Sequence, residues 1–255
     1  MKWIKIPFLF LWRIWFYVLL TITIILMSPA LLILTSKNNL YPILWKMIRI
    51  WSYILIYGMG FRLQKEFEQK ADINKSYLFC PNHTSLMDPF VLIAISKNPI
   101  VFVGKIELTK IPIFGFFYKR MVILVNRDSH KSRKQVYEQA KKRLEGGTSI
   151  GIFPEGLVPD YNVVLAPFKD GAFKLAAEFE IPIVPQTYFD CKRYFSWNIF
   201  KGGLGIFRVK QHKFIETKGI SSKEDIASLK QRTFEIIQKE LMEDESYMKD
   251  TNYKK

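Results

Sequence analysis

At 255 residues the chain is long enough for one sizeable domain with an appendage and too short for two full domains. A formal net charge of +15 implies an anionic partner. With no zinc-finger pattern, aromatic RNA-binding signature or heptad-linked basic region, that partner is a lipid surface or a phosphorylated substrate rather than nucleic acid.

From Ile14 to Ser36 the sequence runs about 23 residues without a charge, enough to cross a bilayer core as a helix, with Lys2, Lys5 and Arg13 before it and Lys37 after it. The run is too long for the apolar part of a cleaved signal and is expected to be retained, with a place to kink at Pro29. The next stretch, Leu40 to Leu63, mixes Trp45, Trp51, Tyr53 and Tyr57 with Lys46, Arg49 and Arg62, a composition suited to the headgroup boundary. Residues 1–65 therefore read as a two-helix membrane element, either a hairpin that enters one leaflet and returns or one span plus a surface helix.

After a polar linker around Gln69 to Lys75, short apolar runs alternate with helical patterns. Strands are expected at Ser76 to Cys80, Ile100 to Gly104, Met121 to Val125, Ser149 to Phe153 and Ile183 to Thr187. Helices are expected at Pro89 to Ser96, Ser132 to Leu144 and Phe168 to Phe179. Trp197 to Phe200 and Gly205 to Ile215 suggest a hairpin, and a last helix runs from Ser222 to Met242, capped by Ser221 or Ser222. The alternation predicts a single α/β domain over residues 66–245, with a mostly parallel or mixed central sheet flanked by helices. The charged residues 246–255 read as a disordered tail.

Two widely spaced cysteines, Cys80 and Cys191, argue against a disulfide framework and a structural zinc site, and are expected as reduced thiols in a cytosol-facing domain. Three histidines, His83, His130 and His212, leave little room for a multi-histidine centre, so no metal and no bound cofactor are expected. The stretch from Cys80 to Pro89 sets His83 and Asp88 five positions apart, just after a strand and at the start of a helix. Within a regular helix that spacing points them about 140° apart, so they meet only if His83 precedes the helix and the chain turns between them. An Asp88 carboxylate accepting from Nδ1 would leave Nε2 free to take a proton from an alcohol. The bland alternative is that Asp88 caps a helix with Pro89 in its first turn. Ser85 reads as a turn or cap residue. Gly147-Thr148-Ser149-Ile150-Gly151 matches the nucleophile-elbow pattern, but the strand follows the helix instead of preceding it, so Ser149 is expected to begin a buried strand.

Taken together, Asn82-His83 with Asp88, Gly104-Lys105 through Gly115, Val125-Asn126-Arg127-Asp128, Phe153-Pro154-Glu155-Gly156, Phe168-Lys169 with Gly171-Ala172, and Ile183-Val184-Pro185 resemble, in order and spacing, the motifs of the glycerolipid acyltransferase superfamily, which includes the 1-acylglycerol-3-phosphate acyltransferases. The resemblance implies direct acyl transfer from acyl-CoA or acyl carrier protein to the free hydroxyl of a lysophospholipid such as 1-acylglycerol-3-phosphate. His83 would be the base and Asp88 its support, at a membrane and on its cytoplasmic face. It also implies that Asn82, Glu155 and Gly156 help hold the acceptor, with Lys105, Arg127 and Lys169 as candidates for its phosphate. One departure bears on the acceptor: Leu157 and Val158 stand where many relatives carry threonine and a phosphate-binding arginine. A membrane-attached thioester hydrolase, an acyltransferase for another lysolipid, and a non-enzymatic lipid-binding protein are the alternatives.

Overall fold

The computed structural model describes residues 2–125 and 130–251, with side chains given for 6–125 and 135–251. Its centre is the four-residue strand β2 (Leu78–Pro81), buried at every position. Such a run has no polar face, as expected for a parallel strand covered on both sides. β2 pairs in parallel with β5 (Ser149–Gly151) and β6 (Ile183–Tyr188). Beyond β5 lie β3 (Ile100–Lys105) and β4 (Ile123–Val125), also parallel. Beyond β6 lie β7 (Gly205–Gln211), the one antiparallel partner, and β1 (Phe61–Phe67), parallel to β7. The order is β1-β7-β6-β2-β5-β3-β4, a mixed and mostly parallel sheet as the alternation predicts.

Side chains alternate across this sheet with period two and feed two separate cores. Tyr77, Phe79, Ile100 and Val184 join the helices α1 (Lys2–Leu34), α2 (Tyr41–Gly58) and α3 (Asp88–Ile95) on one face. Leu78, Cys80, Val101 and Ile183 join α5 (His130–Glu145), α6 (Gly171–Glu178) and α8 (Lys223–Glu243) on the other. Ser222 caps α8 by accepting from the Asp225 N–H at 3.0 Å. The short helix α4 (Phe114–Met121), which the sequence reading does not anticipate, precedes β4, and α7 (Cys191–Tyr194) follows β6.

α1 runs unbroken through Pro7 and Pro29, about 50 Å at 1.5 Å per residue, and its segment Ile6–Leu34 is long and apolar enough to cross a membrane. It does not stand clear of the domain. Leu9, Trp12, Phe16, Ile24 and Leu31, at helical spacing, are buried in the first core, while Phe10, Tyr17, Ile22, Leu26 and Ile33 face outward. The Trp12 and Trp15 indole N–H groups donate to the Met59 and Gly58 carbonyls at 3.0 and 2.9 Å, satisfying backbone that ends α2.

Three expectations need correction. The stretch Leu40 to Leu63 is not one helix: α2 stops at Gly58, and Gly60, in the left-handed region at φ +80°, turns the chain into β1. Trp197 to Phe200 is not a strand. Gly202 and Gly203, both at positive φ, interrupt the run, and β7 pairs instead with β6 and β1. The segment after Glu243 is ordered as α9 (Glu245–Thr251), with Tyr247 and Thr251 buried and Arg193 paired to Asp250; residues 252–255 lie outside the described set.

Candidate active site

In an open sheet of mostly parallel strands the ligand crevice lies beyond the carboxyl ends of the strands. His83 follows β2 by two residues, Glu155 follows β5 by four, Cys191 follows β6 by three, and Lys105 closes β3. The topology alone thus gathers these residues along one edge.

The turn between β2 and α3 is organised by one oxygen. Asp88 Oδ2 accepts from the Thr84 N–H at 2.5 Å and the Ser85 N–H at 2.7 Å, and lies 2.9 Å from His83 Nδ1. Asp88 therefore does not cap α3, whose N-cap is Met87 without a side-chain cap hydrogen bond; its carboxylate instead ties the turn before the helix to the imidazole. The side chain of Asp88 is 0% exposed and that of His83 is 21% exposed. With the carboxylate accepting, Nδ1 carries the proton and Nε2 keeps its lone pair, with no partner among the described residues. The ring rests on Phe153, with centroids 4.2 Å apart and planes 25° from parallel, and Phe153 lies 6.4 Å from Phe102. Ser85 Oγ donates to the Phe195 carbonyl at 2.7 Å and accepts from the Met87 N–H, and Ser149 begins a buried strand, so both serines serve structure as expected.

Glu155 holds this turn from below. Its Oε1 accepts from the His83 backbone N–H at 2.6 Å and its Oε2 from the Ala166 N–H at 2.9 Å. The residue is buried, and burial pushes its carboxyl up to about 8 against the pull of those two N–H groups and of Lys192. Each oxygen accepts from a backbone N–H, so Glu155 holds the turn that carries His83. Asn82 is likewise turned inward. It accepts from the Tyr188 N–H at 2.7 Å and donates to the Tyr188 carbonyl at 3.1 Å, continuing the β2–β6 ladder past its end. Gly156 sits at φ +71° with Lys169 folded across it, so that a Cβ there would lie 3.0 Å from Lys169 Nζ. Lys169 and Lys105 are both exposed. Arg127 lies outside the described residues. Gly104 and Gly115 have plain steric reasons: a Cβ would lie 1.9 Å from Tyr118 Oη at the first and 2.1 Å from the Thr109 carbonyl at the second.

Two neighbours were not anticipated. The Cys191 thiol is fully buried against Asp88, and burial together with that carboxylate raises its pKa well above the usual thiol range, so it remains protonated. Lys192 is buried beside it and donates to the Val163 carbonyl at 2.6 Å. Burial brings its ammonium down to about 8, with Glu155 and Asp250 pulling the other way. The position just past a strand end was the available signal for both.

The family model described as Acyltransferase matches residues 62–188, from β1 through β6, a span that includes His83, Asp88 and Glu155 and stops short of Cys191 and Lys192. The chain is 29% identical over 187 residues to the 1-acyl-sn-glycerol-3-phosphate acyltransferase of Borreliella burgdorferi, covering 72% of this chain and 74% of that one. It is 26% identical over 168 residues to the human 1-acyl-sn-glycerol-3-phosphate acyltransferase beta, covering 65% of this chain and 60% of that one. The crystal structure of the 1-acyl-sn-glycerophosphate acyltransferase from Thermotoga maritima superposes with a TM-score of 0.75 at 20% identity, over 96% of this chain and 99% of that one, and so shares its fold. With the motifs in order, the sheet in the same architecture and the matched region spanning the histidine turn, the chain belongs to the acyltransferase family.

Proposed function

We propose that the protein transfers a fatty acyl chain from a thioester, acyl-CoA or acyl carrier protein, to the free hydroxyl of 1-acylglycerol-3-phosphate, giving phosphatidic acid. The observation that carries this reading is the His83–Asp88 pair, with Nδ1 held at 2.9 Å and Nε2 without a partner among the described residues. Nε2 takes the hydroxyl proton as the oxygen attacks the thioester carbonyl. Asp88 stabilises the resulting imidazolium, the tetrahedral intermediate expels the thiolate, and His83 returns the proton to the sulfur. No acyl-enzyme is required, in keeping with the buried, hydrogen-bonded Ser85 and the buried Cys191.

The names of the sequence relatives support 1-acylglycerol-3-phosphate as acceptor. Leu157 and Val158 leave its phosphate to other cations, of which the exposed Lys105 and Lys169 are available. The outward apolar face of α1 supports a membrane location, and the two buried free cysteines support a catalytic domain on the cytoplasmic side. Purified protein given a labelled acyl thioester and a panel of lysolipids tests the proposal. Labelled phosphatidic acid should form only when 1-acylglycerol-3-phosphate is added. Release of free fatty acid at a rate indifferent to any lysolipid would instead establish a hydrolase.

A further inference from the structure

Between α7 and β7 the chain reads Phe195-Ser196-Trp197-Asn198-Ile199-Phe200-Lys201-Gly202-Gly203-Leu204, ten residues with one charge. Its root is fixed. The Phe195 ring packs against Trp12 and Phe16 of α1 at 5.4 and 4.9 Å, and the Arg13 guanidinium lies 4.0 Å from its centroid. Arg13 also donates to the Lys201 carbonyl at 3.0 Å, and the Leu204 side chain closes over Gly60, whose Cβ would lie 2.7 Å from it.

The tip is the opposite. Trp197, Phe200 and Leu204 are 55%, 62% and 57% exposed, with Ile199 beside them. A cluster of this kind on a surface marks an interaction site. Its neighbours identify the partner. The loop roots on the same turns of α1 whose outward side presents Phe10, Leu11, Ile14 and Tyr17, so both apolar surfaces are carried by one stretch of that helix. Aromatic residues around a single lysine form a composition suited to the membrane–water boundary, where the ammonium can stay at headgroup level.

We infer that the 197–204 loop is a second membrane-insertion point, seating its aromatic tip in the headgroup region of the leaflet that holds α1. This rests on the membrane reading of α1. The insertion has a direct link to the chemistry. The Phe195 carbonyl at the loop's root holds Ser85 Oγ, two residues from His83, so the seating of the loop sets the height of the imidazole above the leaflet. Lys201 Nζ also lies 3.7 Å from the Tyr161 ring, tying the tip to the segment that begins with the exposed Leu157.

The test uses the full chain with an environment-sensitive fluorophore on Phe200→Cys, compared with the same label on Leu26→Cys at the outward face of α1. Cys80 and Cys191 are buried and do not compete for the label. On vesicles of phosphatidylcholine and phosphatidylglycerol carrying acyl-chain nitroxides, both labels should shift to the blue and be quenched by lipid, while aqueous iodide no longer reaches them. A quenched Leu26 label with a Phe200 label still open to iodide overturns the inference alone. If neither is quenched, the membrane reading of α1 fails with it. A blue shift that follows protein concentration without lipid assigns the loop to a second copy and also overturns the inference. In parallel, Phe200→Glu with Leu204→Glu should lower turnover of a vesicle-borne acceptor about tenfold and leave turnover of a dispersed short-chain acceptor unchanged. Equal losses on both would make the loop merely structural.

Discussion

Among the described residues two histidines stand beside carboxylates, and they differ in how many of their ring nitrogens the protein itself engages. His83 has one nitrogen on a fully buried carboxylate and the other unengaged by any described residue. His212, just past β7, has Nε2 2.8 Å from Thr187 Oγ1 and Nδ1 3.8 Å from Glu68. Glu68 and Glu240 there could, with His212, surround a metal ion, but the ammonium of Lys210 already lies between them, 2.5 Å from Glu240 and 3.2 Å from Glu68. The residue types are nearly the same in both places. The difference is that every group around His212 has a partner within the protein, whereas Nε2 of His83 has none among the described residues.

The sharpest way to break this comparison is to remove the open nitrogen. His83→Ala should lower turnover by about 10³-fold or more with the melting temperature nearly unchanged, read by acyl-transfer assay and thermal unfolding. Asp88→Asn should cost a similar factor, because an amide presents the wrong tautomer to Nδ1, and it should also destabilise the turn held by Oδ2. Wild-type activity in either variant would remove the pair from the mechanism. His212→Ala should do the reverse, keeping most activity while losing about 1–3 kcal/mol of stability in denaturant titration.

A finer contrast lies in pH. The Glu155 pKa is raised on folding, so the native state binds more protons than the unfolded state between 4.5 and about 8, and stability falls as pH rises through that window. The His212 pKa is lowered by burial, so the native state binds fewer protons and stability falls as pH drops below 6.5. The pH dependence of stability should therefore flatten between pH 4.5 and about 8 in Glu155→Gln and below pH 6.5 in His212→Ala. A Glu155→Gln curve parallel to wild type between pH 5 and 8 would mean that the carboxyl does not titrate there. The smallest effect is expected at the exposed lysines. Lys169→Ala should raise the acceptor KM a few-fold without changing kcat, as befits an exposed cation screened by water.

The histidine turn was legible because its geometry is local: five positions, a strand before and a helix after leave few ways to arrange the chain. The strands buried on both faces were legible for a similar reason, since a run such as Leu78 to Cys80 has only one place to go. β1 was not, because six of its seven residues keep some exposure and its sequence Arg62-Leu63-Gln64-Lys65-Glu66 reads as surface. The clamp by Glu155 joins positions 72 apart in sequence, and a glutamate in a glycine-bearing loop looks the same whether it meets a substrate or a backbone N–H. The last helix was hidden by charge: Tyr247 and Thr251 are buried on one side of a segment that is otherwise acidic and basic by turns.

The stripe of α1 running from Leu9 to Leu31 belongs to the same core as Phe79, Val184 and Phe207 of the sheet. Anchor and catalyst should therefore melt in a single cooperative step. Cutting away the first forty residues to obtain a freely soluble enzyme would strip Trp51, Phe61, Phe90 and Phe195 of their cover, yielding an aggregating fragment instead of a tractable one.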